Sequence, residues 1–347
     1  MDSRVLALAL IAAALAGLAC VPEITEAASD ELGSDSSGEA TSTVETGSAE
    51  GDGDPGDGDP GDGDPGDGEP GDGDGDPGDG DPGDGDGEPP ECTSNVDCSG
   101  SNCLEGACVT VRSCKQLDDL DVGEALASGV YELDPDLDGP LAPFAAYCEL
   151  EVMGGGWTMV LKSDGNLATF EYGAGHWNSD QPFAPEYPDL DRREAKLASY
   201  TQVPMTEMLV AMEYPVGVDP TPLSLQYLMV PGLAGGSLFD LVSPGQHVAT
   251  QVGREAWKGL IPGSSMQANC NLEGLNVVGS TNLDDHRVRI GLIGNDQNNC
   301  GSPNSRIGIG GFGDKCGAPD LPTGNFAGCF AEDGDRVWPG FGVVFVR

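Results

Sequence analysis

The chain has 347 residues, with 59 Asp and Glu against 15 Lys and Arg, for a net charge of −44 at pH 7. Such an excess of negative charge argues against nucleic acid and an anionic membrane surface as partners. Three His and 11 Cys make general bases scarce and cross-links plentiful.

In chain order, one Arg (Arg4) precedes an apolar stretch from Val5 to Leu18, too short to span a bilayer comfortably. Residues 1–19 therefore read as a targeting segment rather than structure. Its end, Gly17-Leu18-Ala19-Cys20, resembles a bacterial lipoprotein cleavage site and implies acylation of Cys20; Gly17 leaves an ordinary secretory signal open. Location follows: an exported chain in the cell envelope, expected at the outer membrane or cell surface through a lipid anchor.

Residues 20–91 are the expected tether. From Val21 to Glu91 there is no Lys, Arg, aromatic residue or Cys, and the 25 acids divide as 8 in 21–50 and 17 in 51–91. From Gly51 the sequence is built on GDGDP units. So little apolar surface cannot offset chain entropy, so a self-repelling, extended spacer is expected. Glycine-rich calcium solenoids need apolar positions at fixed offsets, and this stretch has none. The remaining 256 residues hold 33 acids and 14 bases, net −19, a balance suited to neutral ligands and cation-filled sites.

Setting Cys20 aside leaves ten cysteines, and an even number in an exported chain predicts five disulfides. Cys92, Cys98, Cys103 and Cys108 fall within 17 residues, too few for a core, so two bridges must hold residues 92–109 together. Three connectivities are open; the interleaved one, Cys92–Cys103 with Cys98–Cys108, is expected. Zinc is a rival reading, countered by export and by the absence of a CxxC spacing. This knot reads as a stiff joint between tether and head.

Residues 111–347 form the head. Ser113 and Gln116 make a capping box for a helix over Cys114–Leu120, and Arg192–Tyr200 reads as a second helix stopped by Pro204. Strands are expected at Val130–Leu133, Phe144–Leu150, Thr158–Lys162, Glu207–Glu213, Leu225–Val230, Arg287–Ile293 and Gly342–Arg347. The rest reads as Gly/Pro/Asn/Asp-rich loop. An irregular α+β domain with a central antiparallel sheet follows.

Tyr147-Cys148-Glu149, four residues, then Gly154-Gly155-Gly156-Trp157-Thr158 is the most specific string in the chain. It reads as a strand, a glycine turn and a second strand opened by a buried Trp. It resembles the start of the fibrinogen-like C-terminal domain, as do Ser113-Cys114-Lys115-Gln116 and Gly129-Val130-Tyr131. The ending Gly340 to Arg347 is similar to the closing strand of fibrinogen-like and intelectin-like families. The resemblance covers both ends of the head and is thin over 165–285. It implies a Cys114–Cys148 bridge. For the other four cysteines, Cys270–Cys300 and Cys316–Cys329 is expected, the second similar to the family's C-terminal bridge, with Cys300–Cys316 left open.

Asn282 to Asp314 is the richest chemical stretch, and oxygen-bearing loops of this kind are natural calcium chelators. The resemblance carries over Asn295, Asp296 and Asp314 as metal residues, with calcium presenting itself to a sugar's vicinal hydroxyls. Polar surface turns held by disulfides are the plainer alternative. A second acidic group, Glu332, Asp333 and Asp335, precedes Trp338 and Phe341. Asp333, Asp335 and Trp338 are ligand-binding candidates, the indole for stacking on a sugar, although Trp338 also reads as core. Trp157 reads as core, and Trp177 and Trp257 have no assignment. Phe330 follows Cys329 where the acetyl-binding lectins of the resembled family carry His, so an acetyl-sugar pocket is not expected.

Enzymatic readings lack residues: there is no HExxH, no GxSxG and no unpaired thiol in the head. A carboxylate pair acting in glycan hydrolysis and a purely structural envelope role stay as alternatives. The expected function is a surface-tethered, non-enzymatic binder of a carbohydrate or glycoprotein ligand.

Overall fold

The computed structural model describes residues 90–120, 123 and 125–347. The targeting segment, Cys20 and the tether up to residue 89 lie outside them. The head combines two antiparallel sheets of seven and six strands with four short α-helices. No helix among the described residues is long and apolar enough to cross a membrane. Five disulfides, Cys92–Cys103, Cys98–Cys108, Cys114–Cys148, Cys270–Cys300 and Cys316–Cys329, are the chemistry of an oxidising compartment.

The knot is a hairpin of β1 (Asn102–Leu104) and β2 (Ala107–Val109). It is bonded to the head as well as leading into it. The buried Asn102 amide exchanges two hydrogen bonds with the backbone of Glu132, donating from Nδ2 to its carbonyl (2.8 Å) and accepting from its N–H (2.9 Å). Glu132 belongs to β3 (Gly129–Leu133), the outermost strand of the large sheet.

Next in the large sheet is β4 (Phe144–Glu149), then β5 (Trp157–Asp164). Between them Gly154, Gly155 and Gly156 all take positive φ, at 87°, 65° and 74°. A Cβ on Gly155 would stand 2.5 Å from the Leu150 carbonyl oxygen, so the triplet is required by backbone and by space alike. The large sheet continues through β15 (Phe341–Val346), β7 (Met205–Glu213) and β8 (Leu225–Gly236), with the two-residue β6 (Ala195–Lys196) on β5. Strands β15 and β7 are apolar on both faces, and their period of two divides them between two cores. Val344, Val346, Met208, Val210 and Met212 face the core shared with the second sheet, while Phe341, Val343, Phe345, Leu209 and Ala211 face the other. That second core also holds Trp157 and, from α1 (Cys114–Asp118), Cys114 and Leu117.

Two helical expectations are corrected. The Ser113 hydroxyl caps the Gln116 N–H, but the Gln116 side chain accepts from Arg112 N rather than from Ser113. Residues 192–198 are not helical; the helix there is α2 (Ser199–Gln202). Tertiary bonds override the local propensity. Arg192 forks onto Glu213 with two 2.7 Å bonds, Glu194 accepts from Asp164 N, and buried Lys196 donates to the carbonyls of His176 and Ser179.

The smaller sheet runs β14 (Arg336–Pro339), β13 (Thr323–Ala327), β12 (Ser305–Phe312), β11 (Arg287–Asn295), β10 (Asn269–Val278) and β9 (Val248–Ala249). Four glycines cross it in register: Gly274 opposite Gly291, Gly291 opposite Gly308, Gly308 opposite Gly324. All have positive φ, between 131° and 156°. A Cβ on any of them would meet a neighbouring strand's carbonyl oxygen at 2.0–2.2 Å. The row creases the sheet. His286, just before β11, donates from its backbone to Pro303 O (3.2 Å), while the next residue, Asn304, donates to Gly294 O near the other end of β11 (3.0 Å). A straight strand of that length would separate its ends by roughly 25–30 Å, so β11 doubles back. The remaining helices, α3 (Leu238–Val242) and α4 (Arg254–Gly259), contribute Leu238, Val242 and Trp257 to the shared core.

Candidate functional site

The crease gathers the segments 284–286, 302–304, 313–316 and 328–329. Lys315 Nζ reaches the Ser302 carbonyl (2.8 Å) and Asp285 (3.1 Å), Gly328 N donates to Asn304 O, and Cys316–Cys329 locks the last two segments. The loop 296–304 between β11 and β12 is held from below by Cys270–Cys300.

Asn295 and Asp296 open this loop. The buried Asn295 donates from Nδ2 to Gln297 Oε1 (3.2 Å) and Asn299 O (2.9 Å), which fixes its amide orientation and leaves Oδ1 buried without a partner. Asn304 sits across the hairpin and donates from Nδ2 to Asp296 Oδ1 (3.1 Å); its own Oδ1 is likewise buried and unpartnered. Two buried amide oxygens without a partner thus belong to the residue before Asp296 and to the residue whose amide bonds it, which are 0% (Asn295) and 3% (Asn304) exposed. An unpaired buried acceptor costs about 1–3 kcal/mol, so the pair calls for a donor or a cation. Asn304 lies within the Asn282–Asp314 stretch, but no motif singles it out.

Asp314 does not hydrogen-bond with Asn295 or Asp296. Its backbone N donates to Asp284 O, and the residue lines a separate depression with Glu171 and Asp320. Among the described residues, the only grouping of three His, Cys or acidic side chains compact enough for a metal is Cys92, Cys98 and Cys108, and disulfides consume all three sulfurs.

The second acidic group is occupied by protein. Asp333 accepts from Lys258 (2.7 Å), which holds its carboxyl below the usual range; Glu332 accepts from Arg254 (2.9 Å); Asp335 accepts from Ala331 N. Trp338 is half-buried, stacked on Tyr214 at 4.6 Å between centroids, with the Arg336 guanidinium 4.8 Å from its ring centre. Tyr214 thus covers one face of the indole. Trp157, Trp177 and Trp257 are all fully buried. The exposed aromatic of this region is Phe330, 96% accessible and, like Cys329, held at positive φ (64° and 57°).

Deeper in the crease lies the second feature missed in the sequence, a buried cation. Arg306 is 1% exposed and, among the described residues, has no carboxylate within ion-pair distance. It donates to Gly313 O and Leu321 O (3.2 Å each) and to His286 Nδ1. His286 is therefore neutral with its proton on Nε2, which donates to Lys315 O (3.0 Å). Burial, with Arg306 alongside, pushes its imidazole down to about 3. Burial also lowers Arg306 itself, to about 9. Such a group is costly unless fully hydrogen-bonded, and its Nε has no partner.

Compared with known proteins, the chain matches no family model and no curated protein. Among solved structures it is similar to the fibrinogen-like globe domain of human ANGPTL6, at 17% identity over 68% of this chain and 95% of that one, with a TM-score of 0.29. A likeness at that score carries no argument here.

Proposed function

We propose that the protein is a non-enzymatic recognition module, exported and held to the envelope through an acylated Cys20 and an acidic tether, whose head binds carbohydrate through a calcium ion. Asn295 Oδ1, Asn304 Oδ1 and Asp296 would hold the ion, with Asp296 giving up its bond to the Asn304 amide. The observation that carries the reading is the pair of buried, unpartnered amide oxygens in Asn295, which precedes Asp296, and in Asn304, whose amide bonds the Asp296 carboxylate. They suit a hard cation that takes six to eight oxygens. Three protein oxygens leave places for water or for a sugar's vicinal hydroxyls, and the ion would supply the positive charge that orders them. Phe330 stands exposed nearby on a cross-linked, backbone-strained turn, suited to packing against the apolar face of a sugar ring.

A single carboxylate implies weak binding, with a dissociation constant on the order of 10⁻⁴–10⁻³ M, the range of extracellular calcium modules. Multiple tethered copies would make such affinity useful on a surface. Thermal melting of the full chain tests this. Calcium at about 100 times the dissociation constant should stabilise by about 2.7 kcal/mol, raising the midpoint by roughly 5–10 °C. Asn304→Ala should abolish the shift while leaving a folded protein in chelator. Equal midpoints in calcium and in chelator would overturn the reading.

A further inference from the structure

We infer that the turn joining β3 to β4 is a second calcium site, in which Asp134 and Asp136 ligate the ion and stiffen the seam between knot and head. The sequence from Asp134 to Gly139 is Asp-Pro-Asp-Leu-Asp-Gly. Calcium loops begin with acids at the first, third and fifth positions and Gly at the sixth, where the chain must turn sharply. The backbone here makes two successive turns. Leu137 N donates to Asp134 O and Gly139 N to Asp136 O (3.3 Å each), and Leu137 takes a φ of 59°. Asp136 folds back across them, its Oδ2 accepting from Leu141 N (3.1 Å); a Cβ on Gly139 would stand 1.9 Å from that oxygen.

Spacing alone would not make a site; the burial of Asp134 does. It is only 6% exposed, its Oδ1 has no partner, and among the described residues no cation lies within ion-pair distance of it. Asp136 Oδ1 is likewise buried and unpartnered. Leu133, the last residue of β3, packs into the core, and strand alternation turns the next side chain to the opposite side. A carboxylate buried without a partner is strongly unfavourable, and this turn has few donors to offer. The N–H groups of Asp134, Leu137 and Gly139 are spent on the carbonyls of Val111, Asp134 and Asp136, and Pro135 and Pro140 have none. A cation is the partner left. It needs no open mouth, because it enters when the turn opens and is then enclosed by its ligands. The three carboxylates do not all stand within ligating distance of one another. Asp134 and Asp136 are therefore assigned the ion, exposed Asp138 is an outer acid, and backbone carbonyls and water complete its six to eight oxygens. Ala145 stands at the twelfth position, where the strongest loops carry a bidentate Glu, so the dissociation constant belongs at about 10⁻⁴–10⁻³ M. The turn also meets the knot: Asp134 N bonds Val111 O (2.9 Å), and a Cβ on Gly100 would stand 3.0 Å from the Pro143 ring.

Hydrogen exchange of the full chain, read by mass spectrometry on peptides spanning 129–144, tests this in calcium and in chelator. Calcium at about 10 mM, roughly ten times the weaker limit, should slow exchange of the Leu137, Gly139 and Leu141 amides about tenfold. An ion held only by the closed turn reduces the open fraction by that factor. Asp134→Asn, nearly isosteric, should abolish the slowing, and in chelator it should exchange no faster than wild type, because it removes an unpaired charge. Asp136→Asn keeps an oxygen for Leu141 N and should also abolish it. Asn304→Ala should leave the slowing intact. Equal exchange of the wild type in calcium and in chelator would overturn the inference. So would slowing that persists in both Asp variants, faster exchange of Asp134→Asn in chelator, or slowing lost in Asn304→Ala. A turn beside an edge strand opens at lower free energy than the whole fold and releases its ion first. The global melting midpoint therefore reports the loop at 296–304, and its failure to move would leave the site at Asp134 standing.

Discussion

The two sheets solve opposite problems. In the large sheet β15 and β7 bury side chains on both faces, and their contribution is apolar bulk. In the smaller sheet the decisive positions carry no side chain: Gly274, Gly291, Gly308 and Gly324 let four strands turn a corner together. One sheet is held by what fills it, and the other is shaped by what is left out. The candidate functional site follows the second, because the crease is what brings the loops around Asn304 and Asp314 toward each other.

The sharpest way to break this contrast is to add one carbon to the glycine row. Gly308→Ala places a Cβ 2.1 Å from the Ile290 carbonyl oxygen at a φ of 145°. Backbone strain and overpacking together should cost about 4 kcal/mol or more, read as a collapse of the denaturation midpoint or of soluble yield. A wild-type midpoint would mean the row does not impose the crease.

The matching experiment removes atoms from the large sheet. Phe345 is fully buried, and Phe345→Ala should cost about 3–5 kcal/mol. Its signature should differ: lower stability in urea, but unchanged calcium-dependent signals in the protein that remains folded. Selective loss of those signals would show that the candidate site leans on the large sheet.

The smallest effect is one of pH, carried by Lys196 in the large sheet and, from about pH 9, with the same sign by Arg306 in the smaller one. Lys196 in β6 is 1% exposed and faces two carbonyls with no carboxylate bonded to it; burial pushes its ammonium down to about 8. Between about pH 8 and the ordinary lysine value of 10.5 the unfolded chain binds a proton that the fold has released. Stability should therefore rise with pH across that window. Lys162, also buried in the same sheet and lowered, adds the same sign. Burial raises Tyr227 to about 12, and that gives the opposite slope above pH 10, so the measurement belongs below it. Lys196→Met should flatten the rise in melting temperature; an unchanged slope would show that the Lys196 proton is not involved.

Legibility in the sequence divides along the same line. The large-sheet strands announce themselves by runs such as Val343-Val344-Phe345-Val346, and each of the seven expected strands exists, all within two residues of the expected bounds except β8, which runs on from Val230 to Gly236. Strands β12 and β13 look like loop in the sequence, because Gly308-Ile309-Gly310-Gly311 and Thr323-Gly324-Asn325 carry the residues that normally end strands. Here tertiary shape, not turn chemistry, demands the glycines. The same blindness hid Asn304 and Arg306. A polar residue among glycines looks solvated, and only the doubled-back strand reveals that both are buried. Local propensity misled in the other direction at 192–198, where Lys196 belongs to a strand because its ammonium is tied to distant carbonyls.

The knot carries a mechanical consequence. Tension arriving along the chain ahead of Cys92 would cross covalent links at Cys92–Cys103 and Cys98–Cys108 within a few residues, then pass through Cys114–Cys148 to β4, one strand in from the edge of the large sheet. Little slack can be drawn from residues 92–148 before a covalent bond bears the load. A pull that would peel an uncrosslinked hairpin from its sheet is instead delivered to β4, a strand hydrogen-bonded to a neighbour on either side.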